Sequence, residues 1–167
     1  MPPATKVDIL DRDAISNMSG LETMQAIVDG VFPPPPIGIA MNFFCVSVAK
    51  GRAEFEGEPR ADFRNPHGSI HGGWYGAILD SAMGCAVHTA MAPGAAYTTL
   101  EYKINITRAI PVGTKVRAVG ETSHVGRSTA VAEAKLVGIE DGRLYATGST
   151  TCIILNPGTL KPQARSE

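Results

Sequence analysis

The chain has 167 residues, 44% of them hydrophobic and 19% charged, which suits one folded domain with its own core and excludes a disordered or fibrous chain. Its formal charge is −1 and no stretch concentrates lysine or arginine, which excludes a basic nucleic-acid surface but leaves room for small ligands held by two or three local arginines. Three well-separated cysteines, Cys45, Cys85 and Cys152, form neither a disulfide framework nor a zinc site and suit a reducing compartment.

Residues 1–18 read as a loosely held tail that lacks the apolar segment of a signal peptide. In SGLETMQAIVDG, residues 19–30, Leu21, Met24, Ile27 and Val28 recur at helical spacing and Gly30 is the expected stop. VFPPPPIG then predicts an extended polyproline turn that no helix crosses. Residues 39–59 read as two strands around AKGR, with Val46/Val48 and Ala53/Phe55 alternating. Asn65-Pro66 and Gly68 mark a loop.

HGGWYGAILDSAMGCAVHTAMAPG, from His71 to Gly94, contains one long helix whose residues 74–91 are apolar on nearly every side and therefore expected to be buried all round. Asp80 and His88 within it argue against a membrane span, so a soluble, cytoplasmic protein is expected. Four strands follow. In the first, Leu100, Tyr102, Ile104 and Ile106 alternate with Thr99, Glu101, Lys103, Asn105 and Thr107; EDG at 140–142 is the hairpin before the last. Short connections imply antiparallel neighbours, so the expected fold is α+β, a curved antiparallel sheet wrapped around one long helix. It occupies residues 19–156 as one domain, with a second tail at 157–167.

Two features of that helix carry chemistry. An ionised aspartate among apolar residues is costly unless it is paired, hydrogen-bonded or open to a cleft. Asp80 is therefore either a packing residue held by a loop or a neighbouring hydroxyl, or a functional carboxylate. Gly72 and Gly73 each cost about 1 kcal/mol against alanine inside a helix. At a helix start, however, they let a ligand reach backbone N–H groups that lack intrahelical partners and sit at the positive end of the dipole. Such groups stabilise an oxyanion; an ordinary tight turn is the plainer reading of the same glycines.

Gly72 and Asp80 are eight residues apart, so a helix holds them about 12 Å from each other. A nucleophile and an oxyanion donor acting on one carbon must each come within about 3 Å of it. Two such groups in one chain therefore serve one carbon only if the site is shared between two copies. This predicts a homodimer with two composite sites.

NPHGSIHGGWYGAILD, with Asn65 six residues before His71 and Asp80 nine after it, resembles the hotdog-fold acyl-CoA thioesterases, in particular the phenylacetate-degradation and 4-hydroxybenzoyl-CoA branch. The similarity runs from about Ile37 to Leu155 and includes YTTLEYKINITRAIP and HVGRSTAVAEAKL. It implies a hotdog fold, acyl-CoA as substrate, no cofactor, and dimers often paired into tetramers. Asp80 would be nucleophile or general base, the Gly72 N–H would polarise the thioester carbonyl, and Asn65 would help position thioester or water. His71 would hold the loop to the helix start, Thr99 would orient the water, and Gly73, Arg127 and Arg108 would lie along the substrate. Lys103 is a further candidate for the coenzyme A phosphates, although each of these cations is also read as a solvated strand end. One departure from the family is Ala109 after Arg108, where relatives commonly carry proline; here Pro111 comes two residues later.

Thioester hydrolysis needs no strong general acid, because the thiolate leaves readily, and the chain has no GxSxG elbow. His67 and His71 have metal-ligand spacing but lie in a Gly/Pro loop without a third ligand, so no metal is expected. Two other functions compete: a hotdog enoyl-CoA hydratase, and a non-catalytic acyl-CoA-binding module.

Overall fold

The computed structural model describes residues 12–155; the tails expected at 1–18 and 157–167 lie outside the described residues except for 12–18, where Arg12–Ile15 forms a short helix, α1. Helix α2 spans Gly20–Val28 and opens on a capping box in which Ser19 and Glu22 satisfy each other's backbone N–H. It ends as expected, with Gly30 in the left-handed region at φ 73°. The polyproline stretch departs from expectation. Its last proline, Pro36, opens a second short helix, α3 (Pro36–Met41), because proline's fixed φ and missing N–H suit a first helical position. The prolines therefore stop one helix and start another.

The strands are β1 (Phe43–Ala49), β2 (Arg52–Gly57), β3 (Ala96–Ile106), β4 (Val116–Val125), β5 (Thr129–Gly138) and β6 (Leu144–Leu155). They form one sheet in the order β1-β2-β4-β5-β6-β3, antiparallel throughout. Between β2 and β3 the chain changes edge. It makes a 3-10 turn at Ala61–Phe63, then the long helix α4 (Gly72–Thr89), and lands on the far side. Helix α4 touches all six strands, so the sheet curves around it in the hotdog arrangement.

Along α4, Trp74, Tyr75, Ile78, Leu79, Met83 and Val87 are at most 2% exposed. Burying each side chain of this size contributes roughly 1.5–3 kcal/mol. The helix is not buried all round, however. Ala77, Asp80, Ser81, Cys85 and His88, which share one side of the helix, remain only partly buried. They form the stripe that faces the gap between the sheet's two edges, β1 and β3. Residues 20–41 run back along this gap. Gly20 lies against the His88 carbonyl near the end of α4, and the Trp74 indole near its start donates to Met41 O at 2.8 Å.

Both edge strands carry a bulge. In β1 the register slips between Cys45 and Ser47, turning Val46 out to 40% exposure and ending its alternation with Val48. In β3 it slips between Thr99 and Glu101, leaving Leu100 unpaired and 58% exposed.

Candidate active site at the long helix

At the start of α4, His71 is the N-cap: its Nδ1 accepts from the Gly73 N–H at 2.9 Å, and its own N–H donates to Phe63 O at 2.8 Å. Gly73, expected to lie along the substrate, therefore has its N–H committed to His71. Among the described residues no group accepts from the Gly72 N–H, which points out of the helix as one of its orphan donors. The loop before it is held by Asn65. The Asn65 amide oxygen accepts from the N–H groups of His67 (2.9 Å) and Ser69 (3.3 Å), and Nδ2 donates one hydrogen to Ser69 Oγ at 2.9 Å. The second Nδ2 hydrogen is uncommitted.

Two turns further along, Asp80 Oδ1 accepts from Thr99 Oγ1 at 3.0 Å, and Thr99 is its only hydrogen-bonding partner among the described residues. Burial pushes the Asp80 carboxyl up from the ordinary aspartate range, and the Thr99 hydroxyl partly offsets this. Ser81, the other hydroxyl beside Asp80, donates back to Ala77 O. The bulge explains how Thr99 reaches Asp80. Strict alternation puts Thr99 and Tyr102 on opposite faces, but skipping Leu100 brings both against α4. The Tyr102 hydroxyl lies over Gly76 and the Tyr97 hydroxyl over Gly84, where added Cβ atoms would come within 3.0 Å and 2.6 Å of them.

The uncovered stripe of α4 floors a cavity of about 440 Å³. Asp80, Ser81 and Cys85 contribute to its floor; Phe43 and Cys45 of β1 and Tyr97 of β3 form opposite sides. Phe32, Pro33, Pro34, Pro35 and Ile37 close it above. Its character is apolar, and desolvation pushes the Cys45 and Cys85 thiols up to about 11 and about 12. A half-buried carboxylate with one hydrogen bond, set in an apolar chamber, suits attack on, or activation of water toward, an uncharged carbonyl compound.

The family model for the thioesterase superfamily matches residues 67–145, which contain the helix start, Asp80 and Thr99. A conserved protein of Pseudomonas aeruginosa has the same fold with 32% identity and a TM-score of 0.67, over 72% of this chain and 94% of its own. This chain belongs to the thioesterase superfamily. A mutant of the phenylacetic acid degradation protein PaaI from Thermus thermophilus is 28% identical with a TM-score of 0.65, over 71% of this chain and 98% of its own. A hypothetical thioesterase of Streptococcus pneumoniae, crystallised with coenzyme A, shares the fold at 23% identity and a TM-score of 0.65, over 72% of this chain and 92% of its own. No match is found among the curated proteins. The protein is a thioester hydrolase with the hotdog fold.

The cations of this thioesterase are spread out. Arg108 follows β3 near the start of α4, where the Tyr75 hydroxyl donates to its carbonyl at 3.2 Å and accepts from the Ile110 N–H at 2.8 Å. Those two bonds shape the loop that lacks the family's proline. Arg127 occupies the β4–β5 turn, beside the β6 residues that pair with the start of β3. The 11 residues of β3 thus separate Arg108 from Arg127 by about 30 Å, so within one chain the two cannot grip the same phosphate. Both are exposed, as is Lys103. The sequence reading missed the bulge at Leu100 and the roof over Asp80. The roof had a signal, four consecutive prolines between two short apolar runs; the bulge had none. No described helix is long and apolar enough to cross a membrane.

Proposed function

We propose that this thioesterase hydrolyses an acyl-CoA to the free acid and coenzyme A in a homodimer, with Asp80 of one copy and the Gly72 N–H of the other acting on one thioester. The observation that carries the reading is the pairing of an under-bonded Asp80 carboxylate with an apolar chamber, on a helix whose free N–H lies about 12 Å away. The ionised Asp80 carboxylate either attacks the carbonyl carbon or takes a proton from the attacking water. The developing oxyanion accepts from Gly72, and the thiolate departs without needing a strong acid. Thr99 steers the carboxylate and the water near it. The spare Asn65 amide hydrogen is available to the thioester or the water, and His71 holds the loop and helix start in register.

The bare β3 edge supports the dimer. Leu100, Tyr102 and Ile106 expose 58%, 46% and 46% of their surface on a strand with no neighbour on one side. A two-fold contact there generates both sites at once. Pairing of dimers into tetramers follows the family. Coenzyme A is the carrier found with the pneumococcal relative, and Arg127 and Arg108, from different copies, are the candidates for its phosphates.

A complementation assay tests the composite site. Proline is accepted at a first helical position, and His71 before it already has extended backbone (φ −63°, ψ 137°), so Gly72→Pro removes the N–H with little strain. Asp80→Asn and Gly72→Pro should each be inactive in thiol release from acyl-CoAs. Mixed and re-equilibrated, half the dimers are hybrids with one intact site of two, and about a quarter of the parent activity should return. No recovery from verified hybrid dimers would show that both groups must come from one chain.

A further inference from the structure

We infer that residues 30–38 form a rigid roof that sets the acyl selectivity of the site, admitting a compact, wholly apolar acyl group and excluding both long chains and groups bearing a hydroxyl or second carboxylate. This rests on the thioesterase reading above and names the substrate class for it.

The roof is anchored at both ends. Val31 and Phe32 donate their N–H groups to Ala26 O at 2.9 and 3.1 Å; beyond the prolines, the Gly38 N–H donates to Pro35 O at 2.9 Å, and Trp74 holds Met41 O. Between these anchors four consecutive prolines have φ fixed by their rings, so the segment has little freedom to lift. It spans the one stripe of α4 that the sheet leaves open, directly over Asp80, Ser81 and Cys85. A group entering beside Asp80 is therefore confined between helix floor and proline roof. At the ~30 Å³ that a water-sized group takes in a liquid, 440 Å³ holds on the order of a dozen heavy atoms.

The lining settles the polarity. Asp80 is its only charged side chain among the described residues. Ser81 donates to Ala77 O, the Tyr97 hydroxyl lies over Gly84, and the Cys45 thiol faces Ser47 O at 3.9 Å. A ring hydroxyl or distal carboxylate on the acyl group would lose water against a lining that offers few polar groups in return.

The test is thiol release from hexanoyl-, palmitoyl-, benzoyl- and 4-hydroxybenzoyl-CoA by the parent, Phe32→Ala and Ile27→Ala, each checked for a cooperative melt. The parent should favour hexanoyl over palmitoyl, and benzoyl over 4-hydroxybenzoyl by about tenfold. Opening the roof should raise the palmitoyl-to-hexanoyl ratio of kcat/KM about tenfold. If Phe32→Ala does not fold, Ile27→Ala reads the same wall from α2. A parent that takes palmitoyl as readily as hexanoyl, one that prefers the hydroxylated ester, or a ratio unmoved in the folded variants would overturn the roof while leaving the thioesterase reading standing. Absence of thiol release from every ester would overturn both.

Discussion

The two edges of the sheet end differently. Strand β1 is short, bulged at Val46, and packed against by α2 and α3 of its own chain. Strand β3 is 11 residues long, bulged at Leu100, and among the described residues unpaired along one side, with three large apolar side chains exposed. An unpaired apolar edge is a liability that folds normally blunt with charge, proline or cover. One edge is thus closed from within, and the roof closing it lines the acyl chamber. The other is the edge proposed for a second copy, and one residue it carries, Thr99, donates to Asp80. In the proposed reading, the contrast places specificity inside one chain and catalysis between two.

The severest test of that contrast is a charge on the bare edge. Leu100→Lys, at an unpaired position, should leave the monomer folded but shift it to monomeric mass in light scattering, with activity down by at least 10³-fold because Gly72 and Asp80 no longer meet. A monomer with parent activity would end the comparison. Asp80→Asn should cost about as much. In the parent, activity requires the ionised form of an acid whose pKa is raised, so the acid limb of kcat/KM should lie above the ordinary aspartate range. The same sign applies to stability. An acid with a raised folded pKa stabilises the fold only when protonated, and that contribution fades as pH climbs through the raised value. The melting temperature of Asp80→Asn at neutral pH should therefore be no lower than the parent's.

Smaller effects separate the two sides of α4. In Gly84→Ala a new Cβ would stand 2.6 Å from the Tyr97 hydroxyl, so Tyr97 must shift; urea unfolding should show a loss of about 1–3 kcal/mol, even though alanine is the better helix former. Thr99→Val should lower kcat about tenfold with KM little changed. Because the Thr99 hydrogen bond lowers the Asp80 pKa, losing it should move the acid limb of the profile to higher pH.

Much of this was legible from residue types. Asp80 in an apolar helix and paired glycines at its start pointed to the half-buried carboxylate and the free N–H, and their separation of eight motivates the proposal of two copies. The six strands and the antiparallel order followed from alternation and short turns. Three things were not legible, each for a physical reason. The bulge at Leu100 depends on how β3 meets β6, a long-range match that no local pattern encodes, so Thr99 and Tyr102 looked as if they faced apart. The open stripe of α4 is masked because alanine and cysteine count as apolar whether or not the sheet covers them. The second role of Pro36 was missed because a proline that ends one helix is equally fit to begin the next. Ser19 and Glu22, by contrast, are a capping-box signal carried by the sequence itself, three residues apart.

The roof has one more consequence. Residues 20–41 form a single contiguous stretch that ends before the first strand and lies outside the 67–145 region shared with the superfamily. In the proposed reading, a stretch that helps decide what is accepted thus lies apart in the sequence from Gly72, Asp80 and Thr99, although β1, β2, β3 and α4 also line the chamber. On that proposal, part of the substrate range and the chemistry occupy separate addresses in the gene.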